Sequence, residues 1–105
     1  MATTPNANDS PLEALNDFRR DVLTVLDGMD EPSGQQIKEK LETFYSQDVT
    51  HGRLYPALND LEEMGLIHKG EVDRRTNYYE ATSRGRRELS ADIRWRHQMA
   101  GVLDD

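Results

Sequence analysis

LNDLEEMGLIHKGEVDRRTNYYEATS, residues 58–83, changes its period in the middle. Up to Gly65 the apolar residues, Leu54, Leu58, Leu61 and Met64, recur at intervals of three and four, the spacing of one helix face. Gly65 is placed to end that helix in the left-handed conformation. After it the helical spacing stops. LIHKGEV (66–72) and NYYEAT (77–82) are short and rich in β-branched and aromatic residues. Asp73-Arg74-Arg75-Thr76 between them is a polar connection suited to a hairpin.

Working outward, the helix begins near Thr50. Pro56 removes a hydrogen bond to residue 52, so either the first turn is irregular or the regular helix starts closer to Arg53. Upstream, Ser33-Gly34-Gln35-Gln36 has the pattern of a capping box, and Ile37, Leu41 and Phe44 supply the stripe of a second helix. Earlier still, Ser10-Pro11-Leu12-Glu13 reads as a helix start, with Leu15, Phe18, Val22, Val25 and Met29 along one face and Asp30-Glu31-Pro32 as the stop. Residues 1–9 are small, polar and aperiodic, and are expected to be disordered.

Downstream of the hairpin, Ser83 is expected to cap a last helix, with Leu89, Ile93, Met99, Ala100 and Leu103 on or near one face and Trp95 and Val102 widening it. The order is helix, helix, helix, strand, strand, helix. The fold class is mainly α with a small β-hairpin: a winged helix-turn-helix domain over 10–83 and a C-terminal dimerisation helix over 84–105.

Composition narrows the function. A chain of 105 residues is one domain, marginally stable alone, for which a shared core would help. No apolar run approaches the roughly 20 residues needed to span a bilayer, and no signal peptide is visible. A cytoplasmic protein with no membrane partner is expected. The absence of cysteine excludes disulfides, thiolate catalysis and cysteine–zinc sites. His51, His68 and His97 fall on three different elements without the spacing of a helical metal pair, so no metal is expected. Nucleophile triads, phosphate-cradling glycine loops and cofactor signatures are missing, so an enzyme is not expected.

Charge is distributed unevenly. RRTNYYEATSRGRR (74–87) carries +4 within a chain of net charge −7. Twenty acids face thirteen bases, of which only Lys38, Lys40 and Lys69 are lysines. Such an acid-rich, lysine-poor composition resembles that of proteins from salt-accumulating haloarchaea.

In a helix-turn-helix the second helix of the pair enters the major groove, and its N-terminal residues reach the base edges. Here those residues are Thr50, His51 and Arg53, with Gly52 permitting close approach and Tyr55 and Asn59 continuing the polar face. Arg53 can donate a bidentate pair to guanine. Asp60, Glu62 and Glu63 would repel phosphate, so only the first two turns are expected to meet DNA. Arg74, Arg75 and Thr76 at the hairpin, with Lys69 on its first strand, suit the backbone or a narrow minor groove. Arg84, Arg86 and Arg87 start a helix where the macrodipole favours acids. They either touch phosphate or pair with acids such as Glu80, Glu88 or those of a partner chain. Leu15, Phe18, Leu89, Ile93, Trp95, Met99 and Leu103 are the expected dimer contacts, since one short core cannot cover both terminal helices. A two-fold dimer would read a pseudo-palindrome in double-stranded DNA.

THGRLYPALNDLEEMGLI (50–67) and RRTNYYEATSRGRREL (74–89) together resemble the recognition helix, wing and helix start of PadR-like transcriptional regulators, and the likeness extends over about residues 15–90. The resemblance implies a dimeric winged-helix DNA-binding protein, usually a repressor, joined through its terminal helices. It also implies that Tyr55 lies near the DNA backbone and that Arg74-Arg75 make the wing contact. A single C-terminal helix, as in the short members, argues against a larger ligand pocket, and the effector is not legible. Arg53 stands where a small hydroxyl residue is common, so base preference does not carry over. The composition points to the haloarchaeal members, among them a regulator of the oxidative-stress response. In a salt-rich cell ordinary counterion release is suppressed. A weak salt dependence is then expected, with Asp60, Glu62 and Asp73 taking up cations on binding. A protein-interaction module without DNA binding is the other reading open to this fold.

Overall fold

The structure, a computed structural model, describes residues 15–101. Its elements are α1 (Asp17–Asp27), α2 (Gly34–Tyr45), α3 (His51–Glu63), β1 (Ile67–Asp73), β2 (Thr76–Ala81) and α4 (Ser83–Ala100). Four helices and one antiparallel hairpin make a mainly helical winged fold, as the order of periods predicts. The tail 1–9, the Ser10 cap with Pro11 and Glu13, and Val102 and Leu103 lie outside the described residues.

Each helix start has a side-chain cap that satisfies an otherwise unpaired N–H. Asn16, Ser33, Thr50 and Thr82 accept from the backbone N–H three residues on. At Ser33 the box is closed by Gln36, whose side chain accepts from the Ser33 N–H at 2.9 Å. Two expected starts move. The helix carrying Phe18 and Val22 begins after Asn16 rather than at Ser10, leaving Leu15 ahead of it, and Thr82 rather than Ser83 caps α4. At α4 it is Thr82 Oγ1 that accepts from the Gly85 N–H, at 3.0 Å. Gly65 takes φ +77 just beyond α3, the left-handed exit anticipated for it.

The core lies where α1 crosses α2, α3, β2 and α4. Val22, Leu23, Ile37, Leu41, Leu54, Leu61 and Leu66 are fully buried, and Leu15, Phe18 and Leu89 join them. Leu15, Phe18 and Leu89, expected as dimer contacts, are thus buried within their own chain. Phe44 departs from its expected place in the core of α2 and is 72% exposed. The buried face runs Ile37, Leu41, Tyr45 at intervals of four, which turns Phe44 outward beside the Tyr45 ring.

The hairpin pairs Ile67 with Ala81 at its base and Asp73 with Thr76 at its tip, and the register slips between Glu71 and Asp73. Val72, between them, is exposed like its neighbours in the outer half of the strand. At its base the hairpin is tied to the helices. The Tyr79 N–H donates to the Pro32 carbonyl at 2.9 Å, and the Thr82 N–H to the Leu66 carbonyl at 3.0 Å. No helix among the described residues is long and apolar enough to cross a membrane.

Candidate nucleic-acid interface

The N-terminus of α3 is held from both sides. In the loop before it, Glu42 Oε2 accepts from the Val49 N–H at 2.8 Å and from Lys38 Nζ at 2.9 Å. The Val49 N–H, and then Lys38, keep the Glu42 carboxyl below its ordinary range. Thr50 Oγ1 accepts from the Arg53 N–H, and the Thr50 carbonyl accepts from both Arg53 and Leu54 at 3.1 and 3.0 Å. Such a shared carbonyl is common at helix ends, and α3 starts at His51 and runs on through Pro56, so the later start near Arg53 that Pro56 suggested is not taken.

Leu54, Ala57, Leu58 and Leu61 point α3 into the core, leaving Gly52, Pro56, Asn59 and Glu63 exposed on the opposite side. A Cβ placed on Gly52 would meet nothing within 4 Å, so this turn is open to a close approach. On one flank His51 and Tyr55 stack edge to face at 5.4 Å. The Tyr55 hydroxyl end lies over the first residue of α2, where a Cβ on Gly34 would sit 2.2 Å from it. Ser33, Gly34, Tyr55, Arg75, Thr76 and Asn77 line a cleft of about 290 Å³ between α2, α3 and the wing. The expected DNA residues Tyr55, Arg75 and Thr76 are therefore neighbours across this cleft, although they come from different elements.

Arg74 and Arg75 form the exposed two-residue tip of the hairpin. The tip is shaped by Asp73, whose Oδ1 accepts from the Arg75 N–H at 2.8 Å and the Thr76 N–H at 2.9 Å. The Arg75 N–H is the main reason that the Asp73 carboxyl lies below its usual range. Lys69 is exposed on β1 opposite Tyr79, set back from the tip.

The other flank of α3 faces the start of α1, and sequence reasoning missed what happens there. The Arg53 guanidinium lies over the Phe18 ring, 4.0 Å from its centroid. About two turns along α3, Asp60 Oδ2 accepts from Arg19 Nε at 2.8 Å and is also bonded by Arg19 Nη2. Asp60 is thus neutralised by its own chain, which weakens the repulsion expected of it. Nothing in the periodicity of α1 marks Arg19 for this role, because the partner is 41 residues away.

The arginines that open α4 lie elsewhere. Arg86 Nε pairs with Asp27 Oδ1 at 3.1 Å, on α1 rather than with Glu80 or Glu88. The Arg84 side chain lies beside Gly65, at the C-terminal end of α3. Six residues of β2 separate this region from the wing tip, about 20 Å of extended chain. Beyond Leu89 the helix runs off the core, leaving Ile93, Trp95 and Met99 exposed by half or more. Ile93 lines a groove of about 370 Å³ between α1 and α4, with Arg20, Asp21, Asp92 and Arg96 on its walls.

Residues 22–91 match the model of the transcriptional regulator PadR-like family. Among solved structures, a complex of hsRosR with S1 is 40% identical with a TM-score of 0.82, covering 91% of this chain and 83% of that one. The RosR of H. salinarum grown from NaBr is 39% identical with a TM-score of 0.78, covering 95% and 84%. The FabT of Streptococcus pneumoniae in complex with DNA shares the fold at 23% identity and a TM-score of 0.69, covering 91% and 64%. No curated protein matches the chain. A family match that takes in α3, the wing and the start of α4, together with the identity to RosR, makes the chain a member of the PadR-like family of transcriptional regulators.

Proposed function

We propose that the protein is a sequence-specific regulator, a repressor of the haloarchaeal RosR type, that binds a pseudo-palindromic DNA site as a homodimer. The observation that carries this reading is the exposed first two turns of α3, open at Gly52, beside a wing whose tip is Arg74-Arg75. Thr50, His51, Gly52, Arg53 and Asn59 read the major groove. Tyr55, Arg75 and Thr76 hold the backbone across their shared cleft, while Arg74 and Lys69 add charge along the wing. Ile93, Trp95 and Met99 on the overhanging half of α4 give a second copy an apolar surface to cover.

The likeness to RosR and the acid-rich composition support a salt-rich cell and a response to stress. Affinity then depends weakly on salt, with Glu62 and Asp73 gaining cations as DNA arrives. Asp60 contributes less, because Arg19 already holds it.

A titration with genomic fragments at low and at molar KCl tests the reading, comparing wild type with an Arg53→Ala, Arg74→Ala double variant. Saturable, fragment-selective binding that the variant loses supports it. Absence of selective binding at both salts refutes it and leaves the fold as an interaction module. Sedimentation of the free protein checks the dimer.

A further inference from the structure

The contact between Arg53 and Phe18 joins an exposed arginine of α3 to a buried ring of α1. Phe18 is only 8% exposed and belongs to the hydrophobic cluster, so its ring is fixed independently of anything on the surface. Tyr45 braces it at a centroid distance of 6.3 Å, and the Tyr45 hydroxyl donates to Asp21 Oδ2 at 2.5 Å, back on the helix that carries Phe18. The ring is therefore a platform built by α1 and α2 beneath the first turn of α3. Arg53 lays its guanidinium on that platform while remaining exposed.

A guanidinium that stacks by its face keeps its N–H donors in plane and free along its edge. Bidentate recognition of guanine requires an in-plane pair of donors. A long side chain that is free to rotate must be ordered on binding, and one already held by a rigid ring loses less freedom. We propose that Phe18 is a positioning residue for base recognition: through the 4.0 Å contact with its ring it holds the Arg53 guanidinium before DNA binds, and so sets sequence selectivity rather than general affinity. The proposal rests on the DNA-binding reading of α3. It also ties selectivity to α1, the helix that packs against α4.

The test compares Phe18→Leu, Phe18→Tyr and Arg53→Lys with wild type. Affinity is measured for a selected genomic fragment and for a shuffled fragment of the same length, at one fixed salt. Phe18→Leu lowers the selectivity ratio by roughly 3- to 10-fold with affinity for the shuffled fragment unchanged, whereas Phe18→Tyr, which keeps the π face, retains it. Combining Phe18→Leu with Arg53→Lys costs no more than Arg53→Lys alone. Full selectivity in Phe18→Leu, equal loss on both fragments, or independent effects of the two substitutions overturns the proposal.

Should Phe18→Leu fail to fold, the wild type carries the test. An upfield ring-current shift of the Arg53 Cδ protons that persists in the DNA complex supports the stack, and random-coil shifts overturn it. A wild type without selectivity sinks the DNA-binding reading itself, and the proposal with it, whereas a selective wild type and an equally selective Phe18→Leu sink the proposal alone.

Discussion

Gly85→Ala separates packing from helix propensity, because the two predict opposite signs. Gly85 is in the first turn of α4, where alanine is favoured over glycine by up to about 1 kcal/mol. Yet a Cβ at this position would lie 2.0 Å from the Leu66 carbonyl oxygen and 2.9 Å from its carbon. Carbon and oxygen approach comfortably no closer than about 3.3 Å, so α4 or the start of β1 must move by more than roughly 1 Å. Neither is a flexible side-chain tip. The same Leu66 carbonyl accepts from the Thr82 N–H, and Thr82 Oγ1 donates to the Gly65 carbonyl at 2.7 Å. Movement therefore strains both bonds, each worth on the order of 1 kcal/mol, in addition to an overpacking cost of about 1–3 kcal/mol. After subtracting the propensity gain, the expected loss is about 2–4 kcal/mol.

For a domain of this size that loss lowers Tm by roughly 10–25 °C. Thermal and urea unfolding followed by circular dichroism measure it, at matched protein concentration because a dimer makes Tm concentration-dependent. Ser90→Ala, exposed on the same helix, serves as the control and leaves stability within about 0.5 kcal/mol. A Gly85→Ala protein as stable as wild type, or more so, would falsify the docking of α4 on Leu66.

Gly34→Ala strikes only the movable end of Tyr55, so Tm changes by a few degrees at most while affinity falls similarly on all DNA sequences; unchanged affinity would exclude Tyr55 from the backbone contact. Arg19→Ala releases Asp60 on the recognition helix. It costs under about 1 kcal/mol of stability, as expected of a part-exposed pair, but weakens binding most at low salt, and Asp60→Asn in the same background restores it. Burial, and then the bond to Asp21, push the Tyr45 phenol up to about 12. The folded state therefore holds that proton more tightly than the unfolded chain: its stabilisation is complete below pH 10 and is lost as pH rises towards 12. Urea unfolding across this range should show a steeper decline for wild type than for Tyr45→Phe, and parallel declines would reject the assignment.

The features legible in the sequence are those encoded within one turn or one strand. Ser33 and Gln36 announce their capping box because its partners are three residues apart, and Gly65 announces a helix exit through its own backbone. The change of period after Gly65 reveals the hairpin, and with it the wing. Ser10, Pro11 and Glu13 form a local start signal, but the helix that carries Phe18 and Val22 is capped by Asn16, which no capping-box partner marks in the sequence. Phe44 was misplaced for a similar reason: intervals of three and of four both fit a stripe, and only the surrounding helices select Tyr45 over Phe44. The contacts that shape the candidate interface span much longer separations. Arg19 reaches Asp60, Arg86 reaches Asp27, and Arg53 covers Phe18, and each depends on how helices cross rather than on spacing along any one of them.

These long-range contacts change the meaning of the charge pattern. The run from Arg74 to Arg87 looks in sequence like one basic strip. The fold divides it between the two ends of β2, leaving Arg74 and Arg75 at the tip and assigning Arg86 to an acid of α1. At the same time α1 lends Arg19 to cancel an acid of α3 and Phe18 to seat its arginine. The recognition helix is thus tuned on its α1 side by residues that the sequence presents only as an amphipathic helix. Because α1 also packs on α4, whose exposed outer half is the surface proposed for a second copy, a shift of α1 on the proposed dimer assembly would reach Arg53 through a single packed ring.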